Sequence, residues 1–389
     1  MFLNSIPIST IHNSSFITHN YSPSISLYVH FPWCLKKCPY CDFFSSPISQ
    51  TDQLNKYASS LLKDWKRDKS WLQGRKLRSI YFGGGTPSLA NPEIFAALLK
   101  EIESTNSANT QDIEITLEIN PGTLSLDKIQ KWLGMGINRI SLGVQSFQDE
   151  KLKALGRIHG SQDAIDAVKI LQKNGFQNIN CDLMYGLPGQ SLSDALFDLN
   201  SAISLGIQHI SWYQLTIEPN TAFGKNPPSN LPPEDLMAQI EEQGKELLAK
   251  HNFIQYEISA YSQKSHQSQH NVNYWLFGDY LAFGQGAHGK VTDLAKNAVF
   301  RYEKTQDSKT YPKPIRKADL SLEFMLNALR LVNYPIPKKL FSERTGLDFS
   351  QIEPILKRAE KLGFCCLEKE YFYPTKLGQT FLEDFLLMF

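Results

Sequence analysis

From residue 25 onward the chain alternates short runs of β-branched and aromatic residues with longer amphipathic segments. The runs predict strands at SLYVHF (26–31), LRSIYF (77–82), DIEITLEI (112–119), INRISLGV (137–144), QNINCDLMY (177–185) and IQHISWYQL (207–215). Helices are expected between them, near 51–69, 91–104, 125–134, 161–174 and 191–205. NPEIF at 91 and SLSDAL at 191 read as helix starts, and Gly134, Gly175 and Gly206 stand where helices should stop. Strands separated each by one helix predict parallel, right-handed βαβ units around one core, hence an α/β chain forming an open or closed barrel.

The alternation breaks at IEPNTAFGKNPPSNLPPED (217–235), a Pro- and Asn-rich stretch that predicts a long loop or lid. A helix at about 233–250 and strands near 253–260 and 279–291 are expected next, then helices and a short hairpin from about 315. The last part, with helix, turn, helix, then FCCLE and YFYPT as paired strands, resembles a winged-helix module. It shows no basic recognition face, so a structural or protein-binding role is expected of it. The resulting organisation is a flexible tail (1–24), a barrel core (25–235), an α/β extension (236–312) and the winged-helix-like module (313–389).

Composition narrows the function classes. The 389 residues carry 40 Lys and Arg against 39 Asp and Glu, a net charge of +1, without a basic run that would suit nucleic acid. No stretch approaches the roughly 18 apolar residues of a membrane span, and the first residues lack the charges of a secretory or transit signal. A cytoplasmic location and no membrane span are therefore expected. The six cysteines fall as Cys34, Cys38 and Cys41, a lone Cys181 in an apolar run, and the adjacent Cys365 and Cys366. Close spacing in a chain of this size points to metal or catalysis in a reducing compartment more than to disulfides. Cys181 reads as a small core residue, and of Cys365 and Cys366 one is expected buried and the other exposed.

Soft thiolates select zinc, copper(I) or iron–sulfur clusters, and three of them spaced C-x3-C-x2-C with no fourth sulfur nearby would, on a four-iron cluster, leave one iron open, as a catalytic zinc site keeps an open position. YFGGGTPS (81–88) closes the second strand with three glycines, which let backbone approach a ligand. Glu118 in LEINPG, Gln145 in GVQSF and Asp182 in NCDLMYGLP stand at or just beyond strand ends, where β/α barrels collect ligands, with Arg157 in LGRIHG close by in sequence.

The cysteine spacing after the first strand resembles the radical S-adenosylmethionine (SAM) superfamily, which implies a partial (β/α)6 TIM-like barrel, a [4Fe-4S] cluster on Cys34, Cys38 and Cys41, and SAM on the open iron. With YVHFPWCLKKCPYCDF, GGGTPS, LEINPGT, GVQSF, LGRIHG and DLMYGLPGQ in this order, residues 25–389 resemble the oxygen-independent coproporphyrinogen oxidase-like subfamily. That resemblance puts Tyr28, Tyr40, Gly84, Gly85, Thr86, Glu118, Gln145, Arg157 and Asp182 at SAM-binding positions. It also implies an electron donor that would reduce the cluster and allow SAM to be split.

Two branches of the subfamily differ in function. The branch that dehydrogenates coproporphyrinogen III carries a further cysteine two residues after the third, where this chain has Phe43. The HemW branch of haem chaperones reads C-D-F there and carries H-N-x-x-Y-W, matched by HNVNYW at 270–275. The resemblance therefore implies haem binding with His270 as an iron ligand and Tyr274 and Trp275 against the macrocycle, transfer to an acceptor apoprotein such as one of respiration, and no dehydrogenase activity. His30 is expected to orient the cysteine loop or to hydrogen-bond a sulfur. His159, His251, His266 and His288 show no partner spacing and are assigned nothing.

Overall fold

The computed structural model of the protein describes residues 24–48, 52–106, 113–305 and 312–389, so the expected tail, apart from Ser24, lies outside the described residues. Six parallel strands follow one another side by side: β1 (Ser24–Phe31), β2 (Lys76–Gly84), β3 (Glu114–Ile119), β4 (Arg139–Gln145), β5 (Ile179–Tyr185) and β6 (His209–Gln214). Their connections carry α1 (Asp52–Asp68), α2 (Pro92–Asn106), α3 (Leu126–Gly134), α4 (Ser161–Lys173) and α5 (Leu192–Ser204). Ser191 and Asp194 cap α5 reciprocally, and Gly175 (φ +108°) and Gly206 (φ +68°) turn the chain just past α4 and α5. After α3 the left-handed residue is Gly136 (φ +85°), two residues beyond the expected Gly134.

Strand residues alternate between two environments. Ile25, Leu27, Val29 and Phe31 are buried under the helix layer, with Phe31 ring to ring with Phe95 of α2 at 5.2 Å. The intervening Ser26, Tyr28 and His30 turn to the inner face, where Ser26 meets Ser79 at 2.8 Å and Tyr28 faces Tyr81. The same alternation gives β3 to β6 the inner residues Thr116, Glu118, Ser141, Gln145, Asn180, Asp182, His209 and Ser211. The helix side is apolar, and the barrel interior is polar and hydrogen-bonded.

After β6 the chain forms α6 (Glu234–Lys250) and a hairpin, β7 (Ile254–Glu257) and β8 (Ala260–Ser262), which extends the β6 edge antiparallel. It then returns through α7 (Gln269–Trp275) to the opposite edge, where β9 (Asp279–Phe283) pairs parallel with β1. β10 (His288–Asp293), β11 (Ala298–Glu303) and β12 (Lys313–Pro314) continue that edge antiparallel. The sheet of twelve strands among the described residues thus runs β12-β11-β10-β9-β1-β2-β3-β4-β5-β6-β8-β7. The single strand expected over 279–291 is two strands, because Gly284 (φ +88°) and Gly286 (φ +80°) break it at GQGA.

A second core lies in the C-terminal part. α8 (Leu320–Ala328), α9 (Lys338–Thr345) and α10 (Glu353–Lys361) pack with a small sheet of β13 (Ile336–Pro337), β14 (Cys365–Leu367) and β15 (Tyr371–Pro374) around Phe324, Phe341, Leu356 and Phe372. Cys365 is buried and Cys366 half-buried, while Cys181 is buried in the barrel's core.

Candidate functional site

The three cysteines lie on the loop that leaves β1, at the carboxyl end of the barrel, and all are half-buried free thiols. The loop is tied down along its length. Cys41 N donates to Cys38 O at 3.2 Å, Ile48 N to Cys34 O at 2.9 Å, and Lys37 Nζ to the carbonyls of Phe43 and Ser45 at 3.0 and 3.1 Å. His30 braces it from below, with Nδ1 2.9 Å from the Tyr28 hydroxyl and Nε2 donating to Phe44 O at 2.8 Å. Burial lowers the pKa of His30, which favours the neutral ring this brace uses. His30 orients the loop. Burial pushes the Cys41 thiol up, the Phe43 amide pulls it down, and Cys34 and Cys38 raise it again, so the three sulfurs act on one another.

Arg157 stands over the loop, reaching Cys38 Sγ at 3.7 Å, Asn120 Oδ1 at 2.6 Å and Gly143 O at 2.7 Å. Leu35, Lys36, Cys38, Asn120, Arg157 and Ile158 line a shallow cleft. Tyr40 faces inward, 6.4 Å from Phe223, on a helical turn of the 217–235 segment that docks through Phe223 N to Pro39 O at 2.9 Å. The expected lid is therefore seated on the cysteine loop.

The glycines at the end of β2 also make room for the chain itself. A Cβ on Gly85 would lie 2.5 Å from Trp33 O, and one on Gly84 (φ +113°) 2.6 Å from His30 Cε1. They admit the protein's own cysteine loop. Gly85 N donates to Phe31 O and Thr86 N to Trp33 O, each at 2.7 Å, and the Thr86 hydroxyl accepts from Asn120 Nδ2 at 2.8 Å.

Inside the mouth, Glu118 accepts from the Tyr81 hydroxyl at 2.8 Å and from Gly84 N at 3.0 Å. Asp182 accepts from Ser141 and Asn180 at 3.1 and 2.8 Å, and Gln145, with φ +69°, accepts from the Tyr213 hydroxyl at 2.9 Å. Burial, opposed by the Tyr81 hydrogen bond and aided by Asp182, pushes Glu118 up to about 7, and burial also raises Asp182. Neither carboxyl is ion-paired among the described residues. A ligand carrying both an ammonium and a sulfonium, as SAM does, suits this interior, and three free thiols on a braced loop suit an iron–sulfur cluster.

A pH dependence follows. Without ligand the raised Glu118 pKa favours the protonated acid, so its contribution to stability is full below the ordinary 4.5 and is lost as pH rises through about 7. A cationic ligand needs the carboxylate, so SAM affinity should increase between about pH 6 and pH 8. Equilibrium dialysis should show that rise in the wild type and a flat profile in Glu118→Gln.

The three residues expected to hold haem do not share one surface. His270 is only 9% exposed at the base of the barrel, with Nδ1 3.1 Å from the Ser79 hydroxyl and its ring 4.9 Å from that of Tyr81. Burial, with the Arg139 charge nearby, lowers its pKa to about 3. Glu114 fixes it there by accepting from Gln269 N at 2.9 Å and His270 N at 3.0 Å at the start of α7. Tyr274 is exposed beside Tyr280, and Trp275 is half-buried under the Arg330 guanidinium. The structure thus sets His270 apart from these two rings: burial and the Ser79 bond make it part of the barrel floor.

Sequence patterns did not single out several members of the interior. His209 joins Asn180 Oδ1 at 2.6 Å to the Tyr256 hydroxyl at 2.8 Å, and Arg139, Glu114 and Tyr81 line the same space. Their signal was the polar alternation within strands, which spacing motifs do not capture.

Residues 28–200 match the model of the radical SAM superfamily, and residues 315–381 that of the HemN C-terminal domain. Heme chaperone HemW of Haemophilus influenzae is 44% identical over 379 residues, covering 94% of this chain and 98% of that protein. The protein of the same name from Escherichia coli is 43% identical with the same coverage, and that from Bacillus subtilis is 30% identical, covering 91% of this chain and 96% of its own length. Among solved structures, coproporphyrinogen III oxidase (HemN) from Escherichia coli, described as a radical SAM enzyme, superposes with a TM-score of 0.78 at 20% identity, covering 94% of this chain and 90% of that one. That likeness establishes the fold.

Proposed function

The chain belongs to the HemW family of radical SAM proteins, and from that premise we propose that it is a haem chaperone, taking up about one haem per monomer and passing it to an acceptor apoprotein. The observation that carries this is near-full-length similarity to proteins named heme chaperone, joined to Phe43 at the position where the dehydrogenase branch has its extra cysteine.

In this proposal Cys34, Cys38 and Cys41 hold a [4Fe-4S] cluster and leave one iron open. Glu118 and Asp182 meet the cationic groups of SAM, Gln145 and Thr86 offer neutral polar contacts, Tyr28 supports His30 beneath the loop, and Arg157 places a positive charge against the Cys38 sulfur. When bound, the cluster and SAM supply low-potential one-electron chemistry. The residues around them exclude water: Tyr40 and Phe223 close one side, and the 217–235 segment covers it. Cluster and SAM serve here as a structural or redox switch on haem transfer, fed by an external electron donor, and the acceptors include apoproteins of respiration. A cytoplasmic site of action agrees with the absence, among the described residues, of any helix long and apolar enough to cross a membrane.

The test is an anaerobic haem titration of the cluster-reconstituted protein followed at the Soret band, with coproporphyrinogen III and SAM supplied to a parallel sample. Near-stoichiometric binding with no decarboxylated product is expected. Product formation without haem binding would make the protein a dehydrogenase. A transfer rate to apoprotein that ignores cluster removal would refute the switch.

A further inference from the structure

If haem is the cargo, its iron needs a ligand other than the buried His270, and the cluster loop and its neighbours offer one. His288 opens β10 with its side chain 70% exposed, directly across the ladder from Glu303, whose Oε1 is 4.0 Å from His288 Nε2. The segment before it lies against the cysteine loop: a Cβ on Gly286 would fall 2.3 Å from Phe44 Cδ1, and one on Gly284 2.5 Å from His30 O. His288 is near enough to influence His30 electrostatically, and the His30 ring is 6.2 Å from that of Phe44. On that loop, Phe43 is 64% and Phe44 48% exposed, two large rings in water two and three residues after the third cysteine. Adjacent exposed aromatic side chains mark a contact surface more than a core. Lys37, bonded to the Phe43 carbonyl, adds a cation beside them, and Lys36 adds another at the cleft.

We propose that haem binds across this rim of the barrel mouth, its iron ligated by His288 and its face against Phe43 and Phe44. This rests on the chaperone function above and supplies its site. A neutral imidazole donates a lone pair to the iron through Nδ1, while the Glu303 carboxylate, 4.0 Å from Nε2, sets a negative charge beside the ring. The apolar macrocycle covers the two phenyl rings, and a propionate falls to Lys37, whose ammonium sits at the Phe43 and Ser45 carbonyls. Phe43 follows Cys41 by two residues, so the cargo rests on the loop that carries the cluster, and a change in the cluster's ligation or charge reaches the haem directly.

Ferric haem titrations of the reconstituted wild type, His288→Ala, Phe43→Ser and His270→Ala test this, with Soret position, EPR spin state, affinity, iron–sulfur content and melting temperature measured on each. His288→Ala should weaken haem by about tenfold or more and change the spin state, with the cluster intact. Phe43→Ser should weaken binding with an unchanged spin state. His270→Ala should lower the melting temperature and keep the wild-type haem spectrum. Wild-type affinity and spectrum in His288→Ala, or loss of the haem spectrum in folded His270→Ala, would overturn the site while leaving the chaperone function standing. A wild type that takes up no haem would overturn that function and this site together.

Discussion

Cys38→Ala should take the reconstituted protein from about four iron atoms per chain to below about one, with loss of its visible absorption, while Cys181→Ser and Cys366→Ser keep the wild-type content. The three loop thiols are half-buried on a backbone already fixed by Cys41 N to Cys38 O, Ile48 N to Cys34 O and the His30 brace. These bonds run through the backbone and not through the sulfurs, so removing a sulfur removes a ligand without unfolding its surroundings. Cys38 also accepts the 3.7 Å contact from Arg157 Nη1, so its loss leaves that nitrogen without its sulfur partner while Asn120 and Gly143 still hold Nη2. Cys181 is buried in the barrel's core and the Cys366 thiol lies in the small C-terminal sheet, neither near the loop. Iron retained in Cys38→Ala and lost in Cys181→Ser would transfer the cluster to other ligands. Iron counting and absorbance on the same samples decide this.

Asp279→Ala should destabilise the protein by about 3–5 kcal/mol, the range for leaving buried charge uncompensated. Asp279, at the start of β9, pairs with Arg75 before β2 and with Lys290 of β10 at 2.7 Å, and it accepts from Thr292 N and Oγ1 at 2.8 and 3.0 Å. These side chains are 2–3% exposed, so the alanine variant strands two buried cations. Burial raises the Asp279 carboxyl, but Lys290 and Arg75 outweigh it and bring it to about 2. The depressed value means that its stabilisation is complete above the ordinary carboxylate range and disappears as pH falls from there toward 2. Urea melts at neutral pH and at about pH 3 should show a gap between wild type and Asp279→Ala that narrows in acid. An equal gap at both would assign the loss to packing. Because β9 lies directly against β1, the variant should also loosen the support of the cysteine loop.

The six core strands were legible because β-branched runs, helical stretches and capping residues agreed with one another, and each strand runs within about two residues of its predicted position. The cluster ligands were legible because their spacing is local. The extension was not. α7 has seven residues, too few to declare themselves by periodicity, and its start is held by Glu114, which is 156 residues from His270 in sequence. The burial of His270 depends on the chain crossing from β8 at one edge of the sheet to β9 beside β1, a pairing across some 250 residues that no local pattern encodes. The polar interior was written in the sequence, as Ser26, Tyr28 and His30 between Ile25, Leu27, Val29 and Phe31, but that signal only has meaning once both faces of the sheet are known to be covered.

The way the sheet ends bears on how the chain survives at high concentration. An open sheet invites strand addition from another molecule wherever its outermost strand is long and flat. Here one outermost strand is only Lys313–Pro314, whose proline has no amide hydrogen to offer and whose lysine charge repels a like neighbour. The other is four residues long, and its last residue, Glu257, is already bridged to Leu331. Among the described residues neither border gives an incoming chain more than a brief ladder, which disfavours self-association by pairing at these two strands whether or not cofactor or cargo is bound.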